Sequence, residues 1–138
     1  MPTRVLPDFH KHELMAVFLG GVAGGLLRVW LSRSFASGAT DWPWAIFAIN
    51  ASGAFTLACV ATWFRERPPE SRFHHPLWTA GFCGTYTTFS TMQLEIFVLL
   101  QHDRYGLAAG YALASILAGY LAITLGTQLV RRERGEDV

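Results

Sequence analysis

Long apolar stretches alternate with short polar runs along this chain. The first stretch extends from Leu14 to Phe35 and is interrupted by Arg28, Ser32 and Arg33. The second, Trp44 to Phe64, carries no charge, and the third, Leu77 to Gln101, carries Glu95 alone. The fourth, Tyr105 to Val130, is again free of charge. A hydrocarbon core about 30 Å thick is crossed by roughly 20 helical residues. The pattern therefore predicts an all-α membrane protein with spans over 14–35, 44–64, 77–101 and 105–130. Trp42, Trp44, Trp63 and Trp78 stand near the predicted span ends, where interfacial aromatic residues gather. Pro43 helps to start the second span, Arg65–Pro76 is a charged connector, and His102–Asp103–Arg104 is the third connection. Arg4 and Lys11 before the first stretch give it some likeness to a signal peptide. Three spans would remain even so, and no small-residue cleavage site is evident. Residues 1–138 are thus expected to form one four-helix transmembrane domain.

Composition narrows the class. Of 138 residues, 51% are apolar and 15% charged, against roughly 25% charged in an average soluble domain. So much apolar residue excludes intrinsic disorder. Two cysteines exclude a disulfide scaffold, and a net charge of +1 excludes a basic nucleic-acid binder. An even span number puts both termini on one side. That side carries Arg4, Lys11, Arg65, Arg67, Arg72, Arg131, Arg132 and Arg134, against Arg33 and Arg104 on the other. The positive-inside rule then favours cytoplasmic termini.

Candidate chemistry lies inside the spans. Gly20, Gly21, Gly24 and Gly25, and again Gly106/Gly110 and Ser115/Gly119, are small-xxx-small patterns that let helices approach closely in lipid. The third span reads Gly81-Phe-Cys-Gly-Thr-Tyr-Thr-Thr-Phe-Ser-Thr-Met92. Thr85, Thr87, Thr88, Ser90 and Thr91 cluster near its middle, beside Gly84. Backbone groups in hydrocarbon must be satisfied internally or face protein or water. A helix broken at the midplane frees carbonyls and N–H groups to meet an ion, and the cluster favours it over a continuous helix with back-bonded hydroxyls. Arg28 either snorkels to the interface or lines an aqueous vestibule. Asn50 offers an amide donor to an anion, an oxygen to a cation, or an interhelical bond. Glu95 lies one turn past Met92, and Tyr111, Ser115 and Gly119 form one stripe. His10, His12, His74, His75 and His102 fall in tails or loops, and Cys59 and Cys83 lie in different spans. No acidic pair is available for a proton relay.

The Gly81–Met92 string closely resembles the signature of the Fluc (CrcB) fluoride channels. Gly20-Gly-x-x-Gly24-x-x-x-Arg28 and Asn50-x-x-Gly53 resemble that family too, and the likeness covers essentially the whole chain. It implies a passive, selective fluoride channel in the inner cell membrane that relieves fluoride toxicity. It further implies an antiparallel, dual-topology homodimer with two pores and a structural Na+ at its centre. The resemblance assigns the sodium-binding carbonyls to Gly84 and Thr87. It assigns the pore to Asn50, Phe89, Thr91, Met92, Tyr111 and Ser115, and the vestibule charges to Arg28 and Glu95. Two positions depart from the pattern. Met92 stands where the family has a second pore phenylalanine, and Gly119 stands where it often has a serine or threonine. The Lys/Arg bias also departs from the near-neutral balance expected of dual topology. Fluoride, lipid and a second copy of the chain are the expected partners, with no nucleic acid.

Two other classes compete. A small four-span exporter of cationic compounds shares the size, but relies on a first-span carboxylate where this chain has Arg28. A non-transporting assembly subunit would leave the threonine cluster unexplained. An enzyme is disfavoured, because no nucleophile–base pair or metal cluster falls at helical spacing.

Overall fold

A computed structural model of the chain describes residues 11–133 and Gly135. Arg4, His10 and Arg134 lie outside them. All regular structure among the described residues is helical. α1 spans Lys11–Ser34 and α2 spans Trp44–Glu66. α3 covers residues 74–86: a turn at His74–Pro76, a π-helical stretch at Leu77–Cys83 and a further turn at Gly84–Tyr86. α4 spans Phe89–Gln101 and α5 spans Tyr105–Arg132.

α1, α2 and α5 are long and apolar enough to cross a membrane. The third apolar stretch is divided. Thr87 and Thr88, between α3 and α4, are both extended (φ −78°, ψ 152° and φ −148°, ψ 116°). At 13 residues, α4 is roughly 20 Å long and does not span a bilayer alone.

Burial follows the logic of a membrane bundle. Ala16, Gly20 and Gly24 form the buried stripe of α1, while Phe18 and Leu26 on the same helix are more than six-tenths exposed. Ile116 and Tyr120 on α5 are equally exposed. Small residues face inward and large apolar ones outward, the reverse of a water-soluble core. α1 packs chiefly on α3, and α2 on α5, with α4 against α5. Where α1 meets α3 the backbones nearly touch. A Cβ on Gly81 would lie 3.0 Å from the Val17 carbonyl oxygen and 3.1 Å from the Gly20 Cα. One on Gly20 or Gly24 would run into the Leu77 or Phe82 carbonyl.

Within the chain the small-residue patterns are used only in part: Gly20 and Gly24 meet the backbone of α3. Gly25, Gly106 and Gly119 face open space within the chain, Gly21 makes only ordinary contact with Thr85, and Gly110 only with Trp42. Gly126, in none of those patterns, sits where a Cβ would lie 2.8 Å from the Phe55 carbonyl oxygen. Spacing defines a face, but helix rotation decides whether that face meets a neighbour.

α4 and α5 are joined by a tight turn. Asp103 takes a left-handed conformation (φ 56°), Arg104 N–H donates to Leu99 O at 2.9 Å, and Asp103 N–H donates to Leu100 O at 3.1 Å. This pairing satisfies the last carbonyls of α4 and folds α5 back along it. Leu99, Ala108 and Tyr111 form a buried cluster there, with Trp42, Phe47, Met92, Ile96 and Leu107 against it.

Candidate functional site

Breaking a helix leaves backbone groups without their usual partners. Here Asn50 on α2 takes up two of them. Its Nδ2 donates to Thr88 O at 3.0 Å, and its Oδ1 accepts from Thr88 N–H at 2.8 Å. In a continuous helix that N–H would bond Gly84 O. The hydroxyl of Thr88 then caps α4, accepting from Thr91 N–H at 3.2 Å, as an N-cap threonine does. It also donates to Thr91 Oγ1 at 3.0 Å and lies 3.3 Å from Ser90 Oγ. Thr88 is 6% exposed.

Neighbouring threonines fasten the α3 side. Thr87 Oγ1 donates to Cys83 O at 2.9 Å, and Thr87 Cγ2 lies against Gly53 of α2. Thr85 Oγ1 lies 2.9 Å from both Gly21 O on α1 and Gly81 O. Tyr86 OH is 3.0 Å from Ser52 Oγ on α2. The threonines thus divide the work: the Thr85 hydroxyl ties α3 to α1, the Thr88 backbone ties the break to α2, and the Thr88 hydroxyl caps α4.

The other expected site residues fall in distinct surroundings. Phe89 is 71% exposed on the surface of the chain, whereas Met92, one turn on, packs against the Leu99–Ala108–Tyr111 cluster. Tyr111 is fully buried and donates to Glu95 Oε2 at 2.7 Å. Trp42 packs its ring edge-on to Tyr111, with centroids 5.5 Å apart. Glu95 and Thr91 line a cavity of about 290 Å³ with Asp41 and Ser32, beneath the α1–α2 connection. Ser115 Oγ and Trp42 Nε1 are buried side-chain atoms with no hydrogen-bond partner. Arg28 is half-buried, one turn beyond Gly24 on the buried stripe of α1, and Gly84 is exposed.

The geometry therefore brings Asn50 and Thr91 together around Thr88, and Glu95 together with Tyr111. Phe89 is separated from both groups by facing outward. Thr88, Ser52 and Trp42 are not among the site residues expected from the sequence. Thr88 carries a legible signal, a threonine three residues before the Thr91 N–H it caps. Trp42 read only as an interfacial aromatic. No group of three or more His, Cys, Asp or Glu side chains among the described residues is placed to hold a metal ion.

Comparison with known proteins adds kinship to this geometry. A family model described as CrcB-like protein, Camphor Resistance (CrcB), matches residues 15–127. A fluoride-specific ion channel FluC 1 of Mycolicibacterium paratuberculosis is 51% identical over 122 residues, covering 88% of this chain and 92% of that protein. FluC 1 of Mycobacterium bovis is 44% identical over 129 residues, covering 94% and 98%. A FluC of a Synechococcus species is 40% identical over 117 residues, covering 84% and 90%. These relatives are named ion channels, not enzymes. The chain belongs to the CrcB-like family and is a multi-pass protein of the cell membrane.

Proposed function

We propose that this member of the CrcB-like family is a fluoride-selective channel, through which fluoride leaves the cell passively and its toxicity is relieved. Kinship carries the reading: the match over residues 15–127 takes in Arg28, Asn50, the break, Glu95 and Ser115, and relatives 51% and 44% identical to the chain are named fluoride-specific ion channels. Fluoride is small, strongly hydrated and a strong acceptor. A selective pore replaces its water with donors, each weak enough to let it go. Several donors are in place. Asn50 has one amide N–H beyond the one given to Thr88 O. Thr91 accepts from Thr88 through its oxygen, which leaves its own proton to give. Ser115 Oγ is buried and unpartnered. Phe89 offers a positive ring edge. Tyr111 directs its proton to Glu95, so it serves the path by holding that carboxylate at the cavity wall. Met92 fills space beside it, and Arg28 supplies positive charge that draws anions toward the membrane.

In this reading α3 and α4 together form a third span of four, broken near the midplane; the break at 87–88 falls at the middle of residues 74–101. Two copies assemble in opposite orientations and give two pores. The outward-facing Phe89 and the exposed Gly84 support this, since a second copy would cover both. The fold family implies a central sodium ion, and the residues present fit one. Thr88 N–H turns to Asn50 and so leaves Gly84 O without its helical donor. The extended Thr87 directs its carbonyl off the helix axis. Carbonyl oxygens at an unwound segment suit a hard alkali cation. Gly84 and Thr87 would hold the ion through their carbonyls, and its positive charge would hold the two breaks together.

The test is flux from liposomes loaded with fluoride or chloride, read by ion-selective electrodes. Fluoride efflux without chloride efflux is the expected result. Proton-coupled release of organic cations would overturn it in favour of an exporter, a reading the named relatives do not support.

A further inference from the structure

We propose that Thr88, which need not touch the ion, is the positioning residue that presets the two donors beside it. The inference rests on the fluoride-channel reading and deepens it. The polar groups of Thr88 are all engaged with its neighbours. Its N–H and C=O are both held by the Asn50 amide, at 2.8 and 3.0 Å. Its hydroxyl donates to Thr91 Oγ1 and accepts from Thr91 N–H, with Ser90 Oγ at 3.3 Å. The residue is buried and extended, so these partners are its alternative to water.

Two consequences follow for the donors. A side-chain amide left to itself flips between two orientations. Facing one donor and one acceptor of the same residue, the Asn50 amide has a single satisfied orientation. One N–H is spent on Thr88 O, and the other is left pointing away from it. The second consequence concerns Thr91. A helical threonine ordinarily turns its hydroxyl proton back to the carbonyl four residues earlier, here Thr87 O. Donation from Thr88 occupies the Thr91 oxygen on the break side and leaves the Thr91 proton free to leave the helix. One buried residue thus fixes an N–H through its backbone and an O–H through its hydroxyl, both as donors before any anion arrives, which is what fast, selective passage needs.

The test is a double-mutant cycle on fluoride flux in liposomes, with size-exclusion profile and melting temperature as checks on assembly. Thr88→Val keeps shape and removes the hydroxyl; flux falls about ten-fold, the scale of one lost hydrogen bond. Thr88→Ser restores flux to within about two-fold of the parent. Because Thr88 acts through Thr91, adding Thr88→Val to Thr91→Val lowers flux no further. Parental flux in Thr88→Val, or multiplying effects in the double variant, would overturn the proposal.

Asn50 gives a readout independent of conduction, which also decides the matter if Thr88→Val does not assemble. In nitrogen-labelled protein in nanodiscs, the Asn50 side-chain proton held by Thr88 O should exchange with water much more slowly than its twin without fluoride. Replacing sodium chloride by sodium fluoride should then shift chiefly the faster-exchanging proton. Fast exchange of both protons, or equal shifts in both, would overturn the proposal. A parent protein that passes no fluoride yet shows one protected proton would refute the channel reading and keep the Asn50–Thr88 clamp.

Discussion

A single amide shows how much one residue carries in this fold. Asn50 satisfies both backbone groups of Thr88 in a helix interruption, where an unpaired group costs about 1–3 kcal/mol. Asn50→Ala should therefore lower the melting temperature of the purified protein as well as fluoride flux. Asn50→Asp should be no milder: its second oxygen would face the Thr88 carbonyl with no proton to give. Tyr111 makes a similar case. Its hydrogen bond to Glu95 is 2.7 Å long and fully buried on the tyrosine side. Tyr111→Phe removes it with little change of shape and should cost about 1.5–3 kcal/mol, the value of a bond to a charged group, read as a loss of thermal stability. Met92→Phe tests the departure from the family pattern. Met92 packs in the Tyr111 cluster, so a ring there should overpack it by about 1–3 kcal/mol while altering flux. Unchanged flux and unchanged fluoride binding would show that the side chain is no pore contact.

Among the elements, the α1–α3 contact is the most exacting. It brings backbone against backbone at Gly20, Gly24 and Gly81, and Thr85 bridges it to Gly21 O. The π-helical winding of Leu77–Cys83 sets the face of α3 that meets those glycines. Gly24→Ala should cost about 1–3 kcal/mol by overpacking, because the atom it strikes is the Phe82 carbonyl rather than a flexible side chain. A fall in melting temperature with loss of monodisperse protein in detergent is the expected outcome; an unchanged melt would mean that α1 can shift. The α4–α5 turn offers the opposite sign. Asp103 holds a left-handed conformation that glycine adopts at less cost. Asp103→Gly loses the 2.9 Å bond from Tyr105, which is exposed and worth little, so the melt should rise slightly or hold.

For the molecule as a whole, orientation is the open consequence. Lys and Arg crowd the side of the termini and the Arg65–Pro76 connector, a bias that favours one insertion. The antiparallel assembly proposed above would require both. Glu70→Cys in the exposed connector should label with a membrane-impermeant thiol reagent from both faces of intact cells and opened vesicles. Labelling from one face alone would overturn the antiparallel dimer. The outward faces of α1 and α5 expose Phe18, Leu26, Ile116 and Tyr120, the apolar area that the proposed second copy would have to share with lipid.

Hydrophobic run length is a one-dimensional property, so it could be read directly from the chain: apolar stretches, short connectors, and a polar cluster in the third stretch where a uniform helix would be badly satisfied. Residue types likewise announced that Asn50, Glu95 and the threonines need partners. Which partner each takes was decided only by packing. Helix rotation put Gly126 rather than Gly119 against a neighbour. It gave Tyr111 to Glu95, placed Met92 inward and Phe89 outward, and brought Asn50 to Thr88 across 38 residues. Those outcomes depend on relative helix phase and on side-chain distances, which periodicity within one segment does not contain.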